Sequence, residues 1–212
     1  VPSGVAAGDI VILVCTIDAS AAAFDAGDYP TGFTELGEVD LTGDGQSVAV
    51  GWKRLSAADA GTYQFGALGT GGTGTWVTQA YAFRDRSTVS APTISTIATD
   101  NNNNTSPVSV TANGVTAFVG DDLLMISAPD VRGDGIGNGH TAPSNFDERE
   151  DAENGFSNLA GFTREDIAAG STGNITATFS HTGGATGSGW AAILVRIPAP
   201  IRVSTLFIMG MG

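Results

Sequence analysis

Aspartates recur in two glycine-bent loops, Asp40-Leu41-Thr42-Gly43-Asp44-Gly45 and Asp130-Val131-Arg132-Gly133-Asp134-Gly135. Carboxylates gathered on such a loop offer the hard oxygen ligands that calcium takes. Asp40, Asp44, Asp130 and Asp134 are therefore the candidate metal ligands. Neither loop supplies the third spaced ligand or the closing glutamate of an EF-hand, and an Asp-Gly pair also sets a hairpin turn. The turn reading is preferred, and no metal or cofactor is expected. The acid-rich run over residues 147–153 would add a calcium ligand only from a folded loop; as sequence it reads as a solvated face.

Other chemistry-bearing types are sparse. His140 is read in a loop, and His181 at the end of a strand beside a glycine loop. Two ordinary histidines are expected rather than a metal pair or a base. No Ser/His/Asp or Cys/His arrangement and no GxSxG stands out. A carboxylate pair for glycoside hydrolysis needs proximity in space, which residue order does not reveal. The glycine-rich segments 66–74 and 182–189 have no helix after them to hold a phosphate, so they read as hairpin loops. Arg132-Gly133-Asp134 spells an adhesion tripeptide that nothing else supports. Aromatic rings stack on sugars, and Tyr29 and Tyr63 are the candidate glycan contacts. Trp76 and Trp190 occupy matching places and read as core or core-rim residues.

The elements that must hold these side chains are strands. Continuous apolar runs at 9–17 and 122–127 suit buried strands. Residues 46–55, with Val48, Val50 and Trp52 on one face, and 158–164 follow in each half. Residues 62–67 and 174–181 come next; Ile175, Ala177 and Phe179 alternate inward. Residues 76–84 and 190–197 close each unit. Helical periodicity is confined to short stretches at 55–60 and 165–169, each ended by glycine.

The halves repeat one another. Gly4-Val5-Ala6-Ala7-Gly8-Asp9 matches Gly114–Asp121 in character, and Pro30-Thr31-Gly32-Phe33-Thr34-Glu35 matches Pro143-Ser144-Asn145-Phe146-Asp147-Glu148. Gly51-Trp52-Lys53-Arg54 aligns with Gly161-Phe162-Thr163-Arg164. Trp76 and Arg84 align with Trp190 and Arg196. The matches lie about 110 to 114 residues apart, the length of a whole domain. The resulting division is a first β-sandwich over 1–88, a linker over 89–107 with an asparagine-rich loop, a second β-sandwich over 108–198 and an apolar tail over 199–212. The second unit has candidate leading strands at 93–98 or 108–110 ahead of its glycine motif, whereas the first starts almost on the motif. A leading strand is expected to be missing there, or supplied by another chain, which would leave an edge open to strand addition. The chain opens at Val1 without a methionine, so its true N-terminus is expected elsewhere. In the tail, Leu206, Phe207, Ile208 and Met209 form a β-prone apolar run that must dock on its own sheet or on a partner.

Composition narrows the function classes. Charged residues make up 15% and hydrophobic residues 42%, with 30 glycines among 212 residues. That supports a β-rich, loop-rich fold with core enough to exclude disorder. The net charge of −13 repels phosphates and anionic lipid, so neither nucleic acid nor membrane is an expected partner. The lone Cys15 lies inside an apolar run and is expected to be buried.

The ordered set of these motifs resembles a domain common in tailed-bacteriophage virion proteins of the minor-tail, tail-fibre and head-decoration types, in two tandem copies covering about 170 of the 212 residues. The resemblance implies an all-β fold of two tandem antiparallel, jelly-roll-like sandwiches, without catalytic residues or cofactor. It implies a structural role on the virion exterior, with other virion proteins and copies of the same chain as partners in a homo-oligomer. The alternative is a host-surface carbohydrate-binding adhesin module, calcium-assisted. An exopolysaccharide hydrolase ranks third.

Overall fold

The computed structural model describes residues 4–18, 24, 28–41, 46–56, 63, 65, 75–100, 106–130, 139–154, 157–181 and 189–200. These residues form strands and no helix: β1 (Ile10–Asp18), β2 (Thr34–Leu41), β3 (Gln46–Arg54), β4 (Thr75–Phe83), β5 (Thr93–Ile94), β6 (Ala98–Asp100), β7 (Val108–Ala112) and β8 (Thr116–Ala117). β9 (Asp121–Pro129), β10 (Gly139–Thr141), β11 (Asp147–Asn154), β12 (Ser157–Ile167), β13 (Gly170–Ser171), β14 (Ile175–Ser180) and β15 (Trp190–Ile197) complete the set.

All pairings are antiparallel. One sheet has the order β2-β3-β1-β4, and a second has β11-β12-β9-β15-β5, with β6 also on β15. A three-stranded sheet, β10-β14-β7, and the short β13-β8 pair complete the topology. The apolar runs become strands buried on both faces, where no polar alternation is needed. Every residue of β9 is buried. Its Leu124 and Ile126 join Ile193 and Val195 of β15 in packing against Ile12, Val14, Val48 and Val50 of the first sheet. From the opposite face of the second sheet, Met125, Phe162 and Leu194 meet Val110, Ala177 and Phe179 of the three-stranded sheet. The two repeats thus bury a common cluster and stack as layers. Beyond the first sheet, Leu13, Cys15 and Ala49 lie under Phe24 and Phe65, with Tyr29, Phe33 and Tyr63 packed alongside. Burial pushes the Cys15 thiol up to about 12, and a hydrogen bond from Thr78 works against that shift.

Internal duplication explains why certain residues recur. In each copy a glycine with positive φ (Gly8 at 92°, Gly120 at 81°) precedes an aspartate whose Oδ2 accepts a backbone N–H three residues back. Gly8 N–H donates to Leu55 O at 2.8 Å, and Gly120 N–H to Ile167 O at 3.0 Å. Arg84 and Arg196 reach the paired aspartates, Asp9 and Asp121, at 3.8 and 3.5 Å, but from rungs two residues apart: β1 pairs Val11 with Ala82 and β9 pairs Leu123 with Arg196, so Ala82 and not Arg84 is the counterpart of Arg196. The proline segments match as well: Phe33 N–H donates to Pro30 O and Phe146 N–H to Pro143 O, at 2.9 and 3.0 Å. Gly32 and Asn145 supply the left-handed residue in each turn. The Gly-Asp motif is therefore a turn-building device repeated for folding.

Three expectations change. Aligning Gly51 with Gly161 is one residue out of step: β1 pairs Val11 with Lys53, and β9 pairs Leu123 with Arg164, so Val50 is the counterpart of Gly161. A one-residue slip turns a side chain to the other face. Trp52 packs on the cluster between the repeats, while Phe162 packs on the outer one. His140 lies in β10 rather than a loop. Residues 147–153 and their counterpart, β2, are strands that the sequence did not reveal. Each carries a bulge, between Glu35 and Gly37 and between Glu148 and Glu150. The bulge places the inward-packing Leu36 and Val39 three residues apart and so erases the alternation that marks a strand. The two stretches proposed to lead the second unit do form strands, but in different sheets: β5 and β6 edge the large sheet and β7 joins the small one.

Candidate functional site

A difference between the sheet edges defines the site. In the second repeat, the outer edge of β15 is occupied by β5 and β6. Thr93 lies opposite Arg196, Ile94 opposite Val195, and Asp100 opposite Trp190. Ser95 N–H donates to Leu194 O at 2.9 Å, and Leu194 N–H donates to Ser95 Oγ at 3.1 Å, so the ladder stays satisfied between the two short strands. Ile94 and Ile97 pack on the shared cluster. Room for them comes from Gly37 of β2, where a Cβ would stand 2.6 Å from Ile94 Cδ1.

β4 is the counterpart of β15, and among the described residues it pairs only with β1. A hollow of about 770 Å³ runs beside it, lined by Thr78, Tyr81 and Phe83 of β4 and by Arg149, Glu150 and Ala152 of β11. Glu150 follows the β11 bulge as Gly37 follows the β2 bulge, so this hollow is the repeat-equivalent of the space that Ile94 and Ile97 fill. Its floor is apolar. Its rim is charged: Arg149 lies 3.1 Å from Glu165 and 3.8 Å from Asp147, all well exposed. Gln79 fixes the floor by donating from Nε2 to Leu159 O at 2.8 Å and accepting from the Tyr81 hydroxyl. Burial, then the negative charge of Glu150 and Asp151, pushes the Tyr81 phenol up. An apolar floor, a polar rim and a strand paired, among the described residues, on one side are the features through which extended chains are recognised in general, by backbone pairing and pockets for alternate side chains.

Folding also assembles a constellation that residue order concealed. Ser127 Oγ lies 3.0 Å from His140 Nε2, and His140 Nδ1 lies 3.0 Å from Asp151 Oδ1. Asp151 Oδ2 also accepts the His140 backbone N–H at 3.0 Å. Burial works to raise the Asp151 carboxyl, but hydrogen bonds from His140 and its charge outweigh it and hold the group below 3.8. The connectivity is that of a nucleophilic triad, contrary to the sequence reading that found none. The three residues come from β9, β10 and β11, and only sheet packing joins them. Ser127 is 0% exposed, the His140 ring is 0% exposed, and Phe179 packs on that ring at 4.7 Å. A nucleophile needs substrate within reach, and this one is sealed in the core, so the chain of hydrogen bonds ties three strands together. A fluorophosphonate probe is expected to leave Ser127 of the folded protein unmodified; stoichiometric labelling mapped to Ser127 by mass spectrometry would sink this assignment.

The residues singled out from sequence scatter. Asp40 is an exposed β2 residue accepting a hydrogen bond from Ser47, and Asp130 is fully buried with its N–H donated to Gly189 O at 2.8 Å. Asp44 and Asp134 lie outside the described residues, as do Leu206, Phe207, Ile208 and Met209, the asparagine run, residues 66–74 and residues 182–188. Among the described residues no three His, Cys, Asp or Glu side chains group to hold a metal. Tyr29 and Tyr63 are half-buried in the cluster beyond the first sheet; Tyr63 meets Phe33 edge-on at 4.7 Å, and Lys53 Nζ lies 5.2 Å from its ring centre. The matched tryptophans part company: Trp190 is 7% exposed and Trp76 is 50% exposed.

No family model matches the chain, and neither a curated protein nor a solved structure matches it.

Proposed function

We propose that this protein is a non-enzymatic structural subunit of a phage-type virion exterior, two tandem jelly-roll-like sandwich units that dock to neighbouring subunits by accepting a β-strand at β4. The observation that carries the reading is the unequal treatment of equivalent edges: β15 has its outer neighbour in β5 and β6, while β4 has a hollow of about 770 Å³ in the same place. The repeated motifs resembling those of virion proteins supply the setting. The partners are other virion proteins and copies of this chain. A net charge of −13 suits a solvated exterior and disfavours a role on nucleic acid.

Filling the hollow tests the reading. Ala152→Arg places a long side chain where the incoming strand would lie. The substituted chain is expected to keep its fold while its co-sedimentation with purified virions, or its self-association by light scattering, weakens at least about tenfold, the loss typical of blocking the centre of an interface. Unchanged association of a folded Ala152→Arg chain would remove β4 as the docking edge.

A carbohydrate-binding adhesin is the second reading, favoured by the half-exposed Trp76 ring. Retention on a glycan array that is lost in Trp76→Ala would select it over the structural one.

A further inference from the structure

We infer that the strand accepted at β4 belongs to a different, cationic protein, and that it sets a lysine or arginine opposite Tyr81 to pair with Glu150. The inference rests on the reading of β4 as a strand-accepting edge and names the chemistry of its occupant.

The filled edge gives the position. β15 sets Val195 opposite Leu124 of β9, and β4 sets Tyr81 opposite Ile12 of β1. Ile12 follows Gly8 as Leu124 follows Gly120, so Tyr81 is the counterpart of Val195. Ile94 lies opposite Val195. The residue of an incoming strand opposite Tyr81 therefore takes the place that Ile94 takes at the filled edge.

The residue facing that place gives the chemistry. Gly37 pairs with Val50 and Glu150 with Gly161, so Glu150 stands where the filled edge has a glycine. Its carboxylate lines the hollow and has no ion-pair or hydrogen-bond partner among the described residues. The adjacent Arg149 is engaged by Glu165 and Asp147. Negative charge reaches the floor, where Glu150 and Asp151 add to the burial that pushes the Tyr81 phenol up. An isoleucine in this place would press on the Glu150 side chain and strip water from its carboxylate without replacing the lost hydrogen bonds. A lysine or arginine lays its apolar stem along the floor and carries its charge to the carboxylate. Around the other face of β4 the hollow is lined by Leu13, Ala80 and Tyr63. The residues before and after the cation point to that face and are apolar.

Charge also separates a foreign strand from a second copy. The chain carries 22 acidic side chains against 9 lysines and arginines, so two copies repel. Arg84, Arg86, Arg149 and Arg196 are each engaged by carboxylates of their own copy. A cationic partner meets the opposite situation and is drawn to the groove.

The test is co-sedimentation of four full-length chains with purified virions across a range of salt: native, Glu150→Gln, Glu150→Lys and Ala152→Arg. Urea midpoints report whether each is folded. Glu150→Lys is expected to weaken association at least about tenfold, as reversing a contact charge does. Glu150→Gln is expected to weaken it less and to flatten its salt dependence. Undiminished association of Glu150→Lys beside loss in Ala152→Arg would overturn the inference and leave the docking edge standing. So would a salt dependence that Glu150→Gln leaves unchanged, which would make the fit one of shape alone. Undiminished association of Ala152→Arg, or none by the native chain, would remove the docking edge and the inference with it. Light scattering covers the remaining occupant: self-association of the native chain that Glu150→Lys abolishes would assign the groove to a second copy and overturn the inference.

Discussion

Arg86→Met is expected to lower the stability of the fold by about 3 kcal/mol or more near neutral pH, because it strands a buried carboxylate. Arg86 follows β4 and reaches into the opening turn of the second repeat. Its Nη2 lies 2.7 Å from Asp122 Oδ2, and its Nη1 donates to Gly120 O at 3.2 Å. The Asp122 side chain is only 1% exposed. Burial raises its carboxyl above the ordinary 3.8, the hydrogen bond from Asp166 N–H and the Arg86 charge oppose that, and nearby Glu165 and Asp166 add to it. Asp122 is more easily protonated folded than unfolded. Its protonated form therefore favours the fold at pH below 3.8, and this contribution is lost as pH rises through the higher folded value. Without Arg86 the folded value rises further. The deficit of Arg86→Met should consequently shrink as pH falls from about 7 to about 4. Adding Asp122→Asn should recover part of the loss at neutral pH, since no charge is then left unpaired. Urea unfolding of the three chains across that range checks both statements. A deficit that stays constant with pH would show that Arg86 acts by packing alone.

Gly161→Ala is the second large effect, with an expected loss of about 2–3 kcal/mol from overpacking. Gly161 belongs to β12 in the second repeat, and a Cβ on it would overlap the hydroxyl and ring of Tyr81 from β4 of the first. Tyr81 is not free to swing aside: it is 7% exposed and hydrogen-bonded to Gln79, which is held in turn by Leu159 O. Shortening Tyr81 to leucine opens the space, so the double substitution should cost less than the sum of the two single ones, as contacting residues do. A shift in urea midpoint for Gly161→Ala worth under about 0.5 kcal/mol would mean that the repeats are not held at this contact. The site also bears on docking, because Tyr81 forms part of the floor beside β4.

Val50 occupies the position of Gly161 in the other copy, and this pair illustrates where sequence reading reached its limit. Aligning glycine with glycine is natural when only residue types are compared. The ladder shows that the glycine of one copy faces an intruding tyrosine and that its counterpart is an ordinary valine of the shared cluster. Likeness between the copies holds where the backbone itself demands a residue type, at the positive-φ glycines and the capping aspartates. It fails where a residue answers to its neighbour across the interface.

The sequence by itself determined the strand class, the duplication and the burial of Cys15, because each follows from local chemistry: apolar runs, turn glycines and their spacing. It also exposed the asymmetry of the two openings, from which an unfilled edge was expected. Tertiary structure alone decided that the repeats bury a common face, that the acid-rich residues 147–153 are an edge strand, and that the exposed Asp151 meets the buried His140 ring and Ser127. Only packing placed a hollow beside β4, which among the described residues pairs with β1 alone, over a floor drawn from both repeats. Such features depend on contacts between segments far apart in the chain, and a bulge or a one-residue register shift reverses them without changing composition.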